Sequence, residues 1–305
     1  MSRVALVTDS TSGLAGAPSA GRGVTVVPLH VIFGEQDYTE GVDITALEVA
    51  ERLRKEPRVS TSRPSPRAFL QVYERLAGEG ATEILSVHLS AQLSGTCEAA
   101  ILAARDAPVP VRVVDSGLVG GGLRLAVLTA AQIIDGTAAS DPPPDADASR
   151  PPAEQAADHV LRCAAETVTL FYVHTLDFLR RGGRIGAASA FLGGALGVKP
   201  LLELAEGHIE PVEKLRTQGR ALARLHDLAV KRAAECGEKM RVVVHHVDAA
   251  AKAQGFAEKL AGSLRTEDLL EGDPEVIPLP AVLSAHVGPG ALGAVLVPSA
   301  LTPVS

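Results

Sequence analysis

β-Branched runs alternate with Ala- and Leu-rich amphipathic stretches through the first half of the chain. The runs at 4–7, 24–29, 84–89 and 111–114 predict strands, and the stretches at 47–53, 66–77, 94–105 and 118–134 predict helices. Such βα alternation implies a three-layer α/β/α arrangement around a mostly parallel sheet, with ligand groups gathering at the carboxyl ends of the strands. Between 135 and 152 the periodicity stops in a Pro- and Asp-rich stretch that predicts a linker or surface loop. A boundary is expected there, giving an N-terminal α/β domain over 1–152 and a C-terminal domain over 153–305. In the second half, strand-like runs at 168–174, 198–204, 209–215, 241–245, 275–279 and 294–297 mix with helices, the clearest at 219–236. Glu206-Gly207-His208 between two of these runs is a hairpin signal. The expectation is an α+β domain with a mixed sheet, and a ligand site between the two domains. No internal repeat is visible.

Composition narrows the ligand. A length of 305 residues suits two domains of about 150 each. Apolar residues make up 46% of the chain, but only 3% is aromatic and Trp is absent. Walls must therefore be built from Ala, Val and Leu, which suit an aliphatic ligand better than a stacked ring. A net charge of -7 argues against a dedicated nucleic-acid binder, which carries a basic face. Cys97, Cys163 and Cys236 are widely spaced without a CxxC pair, so neither a disulfide framework nor a zinc site is signalled and a reducing cytoplasm fits. The N-terminus reaches Asp9 after too few apolar positions for a signal peptide. The stretch 281–304 lacks Asp, Glu, Lys and Arg, yet His286, Pro289 and Pro298 break it below the ~20 residues that a bilayer requires.

Hydroxyl-bearing turns recur at the expected strand ends: Asp9-Ser10-Thr11-Ser12, Ser60-Thr61-Ser62-Arg63-Pro64-Ser65, Leu93-Ser94-Gly95-Thr96 and Asp115-Ser116-Gly117. Ser65 before Pro66 reads as a helix N-cap, which leaves Thr61 and Ser62 outside the cap. Ser94, Gly95 and Thr96 open a helix, where backbone N–H groups favour an anion, with simple capping the equal alternative. A cap needs only one oxygen, so the recurrence predicts one polar rim. His286 precedes Val287-Gly288-Pro289-Gly290, a rigid turn that would fix the imidazole beside a carboxylate while Gly288 permits close approach. Arg180, Arg181 and Arg184 surround Gly182-Gly183 and read as an anion or phosphate contact, or as a solvated helix end. Neither a GxxxxGK[ST] loop nor a GxSxG elbow is present, so no ATP site or esterase turn is evident.

Taken in order, Val7-Thr8-Asp9-Ser10-Thr11, Val27-Pro28-Leu29, Tyr38 with Gly41 and Asp43, Thr61 to Ser65, Leu93 to Thr96, Val114-Asp115-Ser116, Leu179 to Ile185, Lys199-Pro200 and His286 to Gly290 resemble the DegV family over nearly the whole chain. Members of that family bind fatty acids and serve as the lipid-carrying subunit of a bacterial two-component fatty acid kinase that feeds phospholipid synthesis. The resemblance implies a carrier with no catalytic residue, cofactor or metal, whose ligand is a fatty acid such as palmitate, stearate or oleate. It places Thr61 and Ser94 on the carboxylate, with Ser62, Gly95, Thr96, Ser116 and Gly288 around the head and His286 closing it from the second domain. It further implies an apolar tunnel for the tail, an ATP-dependent kinase partner docked near Arg180, Arg181 and Arg184, and transient membrane contact without a membrane span. Phe171, Phe178, Phe191, Leu192, Leu196, Leu201 and Leu202 are the tunnel candidates, with ordinary core packing the alternative for each. Two departures from the family stand out: the insert at 141–152, and Cys97 where the family commonly has Tyr.

The energetics divide the labour. Burying about fourteen methylenes at ~0.8 kcal/mol each gives roughly 11 kcal/mol gross, against ~1 kcal/mol net per neutral hydrogen bond. The tail should supply affinity and the head should set position. Two other readings remain open at this point. One is a hydrolytic triad of Ser94, His286 and Asp115 or Asp9; the other is a small-carbonyl binder related to the substrate domain of dihydroxyacetone kinases.

Overall fold

The structure, a computed structural model, describes residues 3–15, 23–56, 58–137, 150–191 and 197–303. In chain order its strands are β1 (Val4–Asp9), β2 (Val24–Val27), β3 (His30–Phe33), β4 (Gln36–Thr39), β5 (Val59–Ser62), β6 (Glu83–His88), β7 (Val111–Asp115), β8 (Val168–Tyr172), β9 (Lys199–Ala205), β10 (His208–Leu215), β11 (Met240–His246), β12 (Glu275–Pro278) and β13 (Leu292–Pro298). The helices are α1 (Ala46–Lys55), α2 (Pro66–Gly78), α3 (Thr96–Ala104), α4 (Gly120–Ile134), α5 (Pro152–Glu166), α6 (Asp177–Arg181), α7 (Gln218–Cys236), α8 (Ala250–Thr266) and α9 (Ala281–Val287).

Two compact units emerge, and neither is a continuous piece of chain: Met1–Leu29, Ser62–Ala165 and Ala300–Ser305 form the first, His30–Thr61 and Glu166–Ser299 the second. The contacts thus divide the chain differently from the expected 1–152 and 153–305. α5 belongs to the first unit because its apolar face, Ala153, Ala156, Ala157, Val160 and Cys163, is buried there. The Pro/Asp-rich stretch therefore joins two helices of one unit, and its residues 138–149 lie outside the described ones.

In the first unit the sheet runs β2-β1-β6-β7 with every pairing parallel, as the βα alternation predicts. Phe69, Tyr73 and Leu76 of α2 recur at helical spacing and pack with Ala99, Ala100 and Ala103 of α3 on Val7 and Ile84. Ser65 caps α2 by accepting the Ala68 N–H (3.2 Å), with Pro66 opening the helix.

The second unit holds the mixed sheet β10-β9-β8-β13-β11-β12, antiparallel except for β11 with β12. Its core joins Leu225 and Ala229 of α7, Leu260 and Leu264 of α8, and Leu170, Tyr172, Leu201, Val242 and Val244 of the sheet. The signal at Glu206-Gly207 is the two-residue turn between β9 and β10, with φ of 50° and 78°, as a tight hairpin demands. The excursion His30–Thr61 adds a small sheet of order β4-β3-β5 and α1, which opens with a reciprocal Thr45–Glu48 capping box. It is tied to the β11–α8 turn by an Arg54–Asp248 ion pair. Residues 281–303 form α9, a glycine turn and β13, and no helix among the described residues is long and apolar enough to cross a membrane.

Candidate functional site

His286 lies in the last turn of α9, which Gly288 ends at a φ of 79°. The imidazole Nε2 is 2.8 Å from Thr61 Oγ1, contributed by the end of β5. On its other side Nδ1 is sealed from solvent and has no hydrogen-bond partner. Gly182, just past α6, explains the seal: a Cβ there would collide with Nδ1. Burial, helped by the Arg184 guanidinium, pushes the imidazole pKa down to about 4, so the ring is neutral at neutral pH. A neutral ring has one N–H and one lone pair, and an orphaned buried donor costs more than an orphaned lone pair. The network therefore assigns the proton to Nε2, which donates to Thr61 Oγ1. The Thr61 hydroxyl hydrogen is left to be given to an incoming acceptor.

The neighbouring residues are already engaged in defined ways. Arg184 donates to the Gly182 carbonyl, Arg180 pairs with Asp177 at 3.4 Å, and the Arg181 guanidinium sits 5.3 Å from the centre of the Phe178 ring. Phe178 in turn packs so tightly on Gly288 that any side chain there would strike its ring. Gly288 thus serves the packing of the turn, and Phe178 supports that turn as core. Ser62 follows Thr61 in β5, so its side chain leaves the opposite face of the strand.

In the first unit Ser94 Oγ and Thr96 Oγ1 lie 2.9 Å apart at the start of α3. No side chain caps this helix, so these hydroxyls are not spent in the way the capping alternative requires. The Gly95 carbonyl accepts from Arg63 Nη1 at 2.8 Å, and Arg63 also pairs with Glu98 at 2.7 Å. Cys97 is buried beneath, its thiol pushed up to about 12 chiefly by burial.

The other two hydroxyl turns do not join a rim. Ser116 is fully buried; its Oγ donates to the His88 carbonyl (2.7 Å) and accepts from the Leu118 N–H (3.1 Å), which removes it from the set of ligand contacts expected from the sequence. Asp115 accepts from the amides of Ala91 and Gly117. Asp9 accepts from Thr11 and from the Leu89 N–H, and the Ser10 hydroxyl accepts from the Leu29 N–H. Sequence reasoning missed what Asp9 anchors: a buried chain from Tyr73 Oη to Ser86 Oγ (2.9 Å), to His88 Nε2 (2.7 Å), and from His88 Nδ1 to Asp9 Oδ2 (3.1 Å). A polar residue closing the apolar run of β6 was the available signal. The order Ser–His–Asp is that of a hydrolytic triad, but every member is fully buried, out of reach of a substrate. The triad built on His286 fares no better, since its Nδ1 has no carboxylate and both Asp9 and Asp115 are committed elsewhere.

Alternation along the second sheet sorts the tunnel candidates. Leu201 points into the core under α7 and α8. Phe171 and Leu202, paired across β8 and β9, face the other side of the sheet. Phe191 lies under the Lys214 ammonium, 4.7 Å from its ring centre, and Leu192 and Leu196 fall outside the described residues. Among the described residues no group of His, Cys, Asp and Glu could hold a metal ion.

The comparisons with known proteins decide the family. A family model described as "Uncharacterised protein, DegV family" matches residues 3–299. The chain belongs to the DegV family. A DegV domain-containing protein of Streptomyces coelicolor is 45% identical over 299 residues, covering 97% of this chain and 99% of the relative. A DegV family protein from Thermus thermophilus, whose structure is described as fatty acid binding, superposes with a TM-score of 0.83 at 33% identity, covering 97% of this chain and 99% of that one. A protein from Eubacterium ventriosum, described as fat acid (stearic acid)-binding, gives a TM-score of 0.83 at 25% identity, covering 98% of this chain and 99% of that one.

Proposed function

We propose that this chain binds one long-chain fatty acid without covalent chemistry and presents its carboxylate to a separate ATP-using kinase subunit. The observation that carries the reading is the Thr61–His286 pair: a neutral, sealed imidazole donates to a threonine oxygen and so turns the threonine hydrogen toward an acceptor. A carboxylate drawn from water needs several such donors. In the first unit the Ser94 and Thr96 hydroxyls, uncommitted to the α3 cap, offer donors of the same kind. Because the imidazole carries no charge, the carboxylate is held by hydrogen bonds rather than by an ion pair, and its oxygens stay nucleophilic. In the partner reaction one of them bonds to the γ-phosphorus of ATP, and ADP leaves. Arg180 and Arg181, exposed at the end of α6, are the proposed docking groups for that subunit. The fatty-acid ligands of the Thermus and Eubacterium relatives support the same class of ligand here. Cys97, Cys163 and Cys236 form no disulfide, which suits a reducing cytoplasm.

Native mass spectrometry of the purified chain is expected to show an adduct of fatty-acid mass. Protein recovered empty and unresponsive to added stearate or oleate overturns the reading. Hydroxylamine trapping of an acyl phosphate, formed only when chain, kinase and ATP are combined, tests the second half.

A further inference from the structure

The helix that carries His286 is held from a distance. α9 has seven residues, too few to persist by itself, and its N-cap position is Pro280, which makes no side-chain bond to the first turn. The missing acceptor comes from Glu40, 242 positions earlier: the Val282 N–H donates to Glu40 Oε1 at 2.8 Å. Glu40 is only 5% exposed, and burying a carboxylate is costly unless its hydrogen bonds are made, so the contact is a specific one. The opposite end of the same helix is met by Thr61 on His286. Glu40 and Thr61 both belong to the His30–Thr61 excursion, so a single segment grips α9 at its first turn and its last. A slip or rotation of so short a helix would swing the imidazole away from Thr61 and press it on Gly182, where there is no room.

We infer that Glu40 is a positioning residue for carboxylate recognition: by capping α9 it fixes the bearing of His286 on Thr61 without itself touching the ligand. This rests on the fatty-acid reading above. The test uses the full chain with Glu40→Ala, Glu40→Gln, Glu40→Asp, His286→Ala and the double variant Glu40→Ala/His286→Ala. The readouts are stearate affinity and the NMR titration of the His286 imidazole. Loss of the cap by Glu40→Ala is expected to weaken stearate binding about fivefold, the scale of a typical N-cap deletion. Gln keeps an acceptor at the same reach and should hold affinity within about twofold, whereas Asp is one methylene short and should not. In the His286→Ala background, Glu40→Ala should cost nothing further.

An equal loss with and without the imidazole makes Glu40 a merely structural residue and overturns the inference. So does the reverse pattern, in which Asp is tolerated and Gln is not, because charge rather than the cap would then matter. Should the parent chain bind no stearate at all, the fatty-acid reading fails by itself. The imidazole titration then decides the link: Glu40→Ala should move it up from about 4 toward 6.5, and an unmoved titration overturns the inference.

Discussion

Two histidines, one in each unit, show how the same side chain is used for opposite ends. His88 has both ring nitrogens engaged, with Asp9 and with Ser86, and the edge of Phe69 against it at 5.0 Å. It is a closed knot that ties β1, β6 and α2. His286 makes one hydrogen bond, leaves its second nitrogen orphaned, and spends that single bond on a hydroxyl which can still donate. Buried polar groups are nearly always satisfied, so an orphan needs a reason. His88 spends both nitrogens on the fold, whereas His286 spends one on a hydroxyl that keeps its own hydrogen, and the proposed head-group contact relies on that difference.

The largest test of this contrast is Asp9→Ala, which strands His88 and the amides of Thr11 and Leu89. It is expected to cost about 3–5 kcal/mol in denaturant unfolding, as breaking a buried pair does. His286→Ala should stay within about 1 kcal/mol while weakening ligand binding. Similar costs for the two would erase the distinction. Next in size is the response to acid. Burial, with Arg184 beside His286 and Arg162 beside His159, holds both imidazoles near 4 in the folded chain against 6.5 ordinarily. Between these values the unfolded chain takes up protons that the folded chain refuses. Stability should be full above about 6.5 and fall toward pH 4 by up to ~1.4 kcal/mol per pH unit for each histidine. Unfolding curves at pH ~7.5 and ~5 should separate accordingly, and His286→Ala should remove its own share. The smallest effect is that of Thr61→Ala: about fivefold in stearate affinity, since one head-group bond is worth ~1 kcal/mol while the tail dominates, with a greater loss in acyl-phosphate formation. Equal losses in both would show that the head carries more of the affinity.

Much of this was legible in the chain. The parallel strands of the first unit, α2 with its Ser65 cap and the β9–β10 hairpin follow from local pattern, because each is decided within a few residues. β3 and β4 were not legible, being four residues each without a strong alternation. α9 was missed for another reason: Ala281-Val282-Leu283 and Ala285 are apolar nearly all round, so no amphipathic period announces a helix. At the site, Thr61, Ser94 and His286 stood out by chemistry. Ser116 was included because a sequence cannot show that a hydroxyl is consumed by the carbonyl of His88. Glu40 escaped notice, and Gly182 was legible only as a turn among arginines, because their partners lie far along the chain and only the folded state brings them together.

The first unit also has a late appointment with a distant segment of its own chain. The Leu301 carbonyl accepts from His159 Nε2 (3.1 Å) and Thr129 Oγ1 (3.4 Å), stitching α5 and α4 to a segment that follows the whole second unit in the chain. Domains ordinarily fold in the order of their synthesis, N-terminal first. Here the seam of the first unit is closed by residues that the chain supplies only after the whole of the second unit, so a change at Leu301 would be felt in helices laid down far earlier.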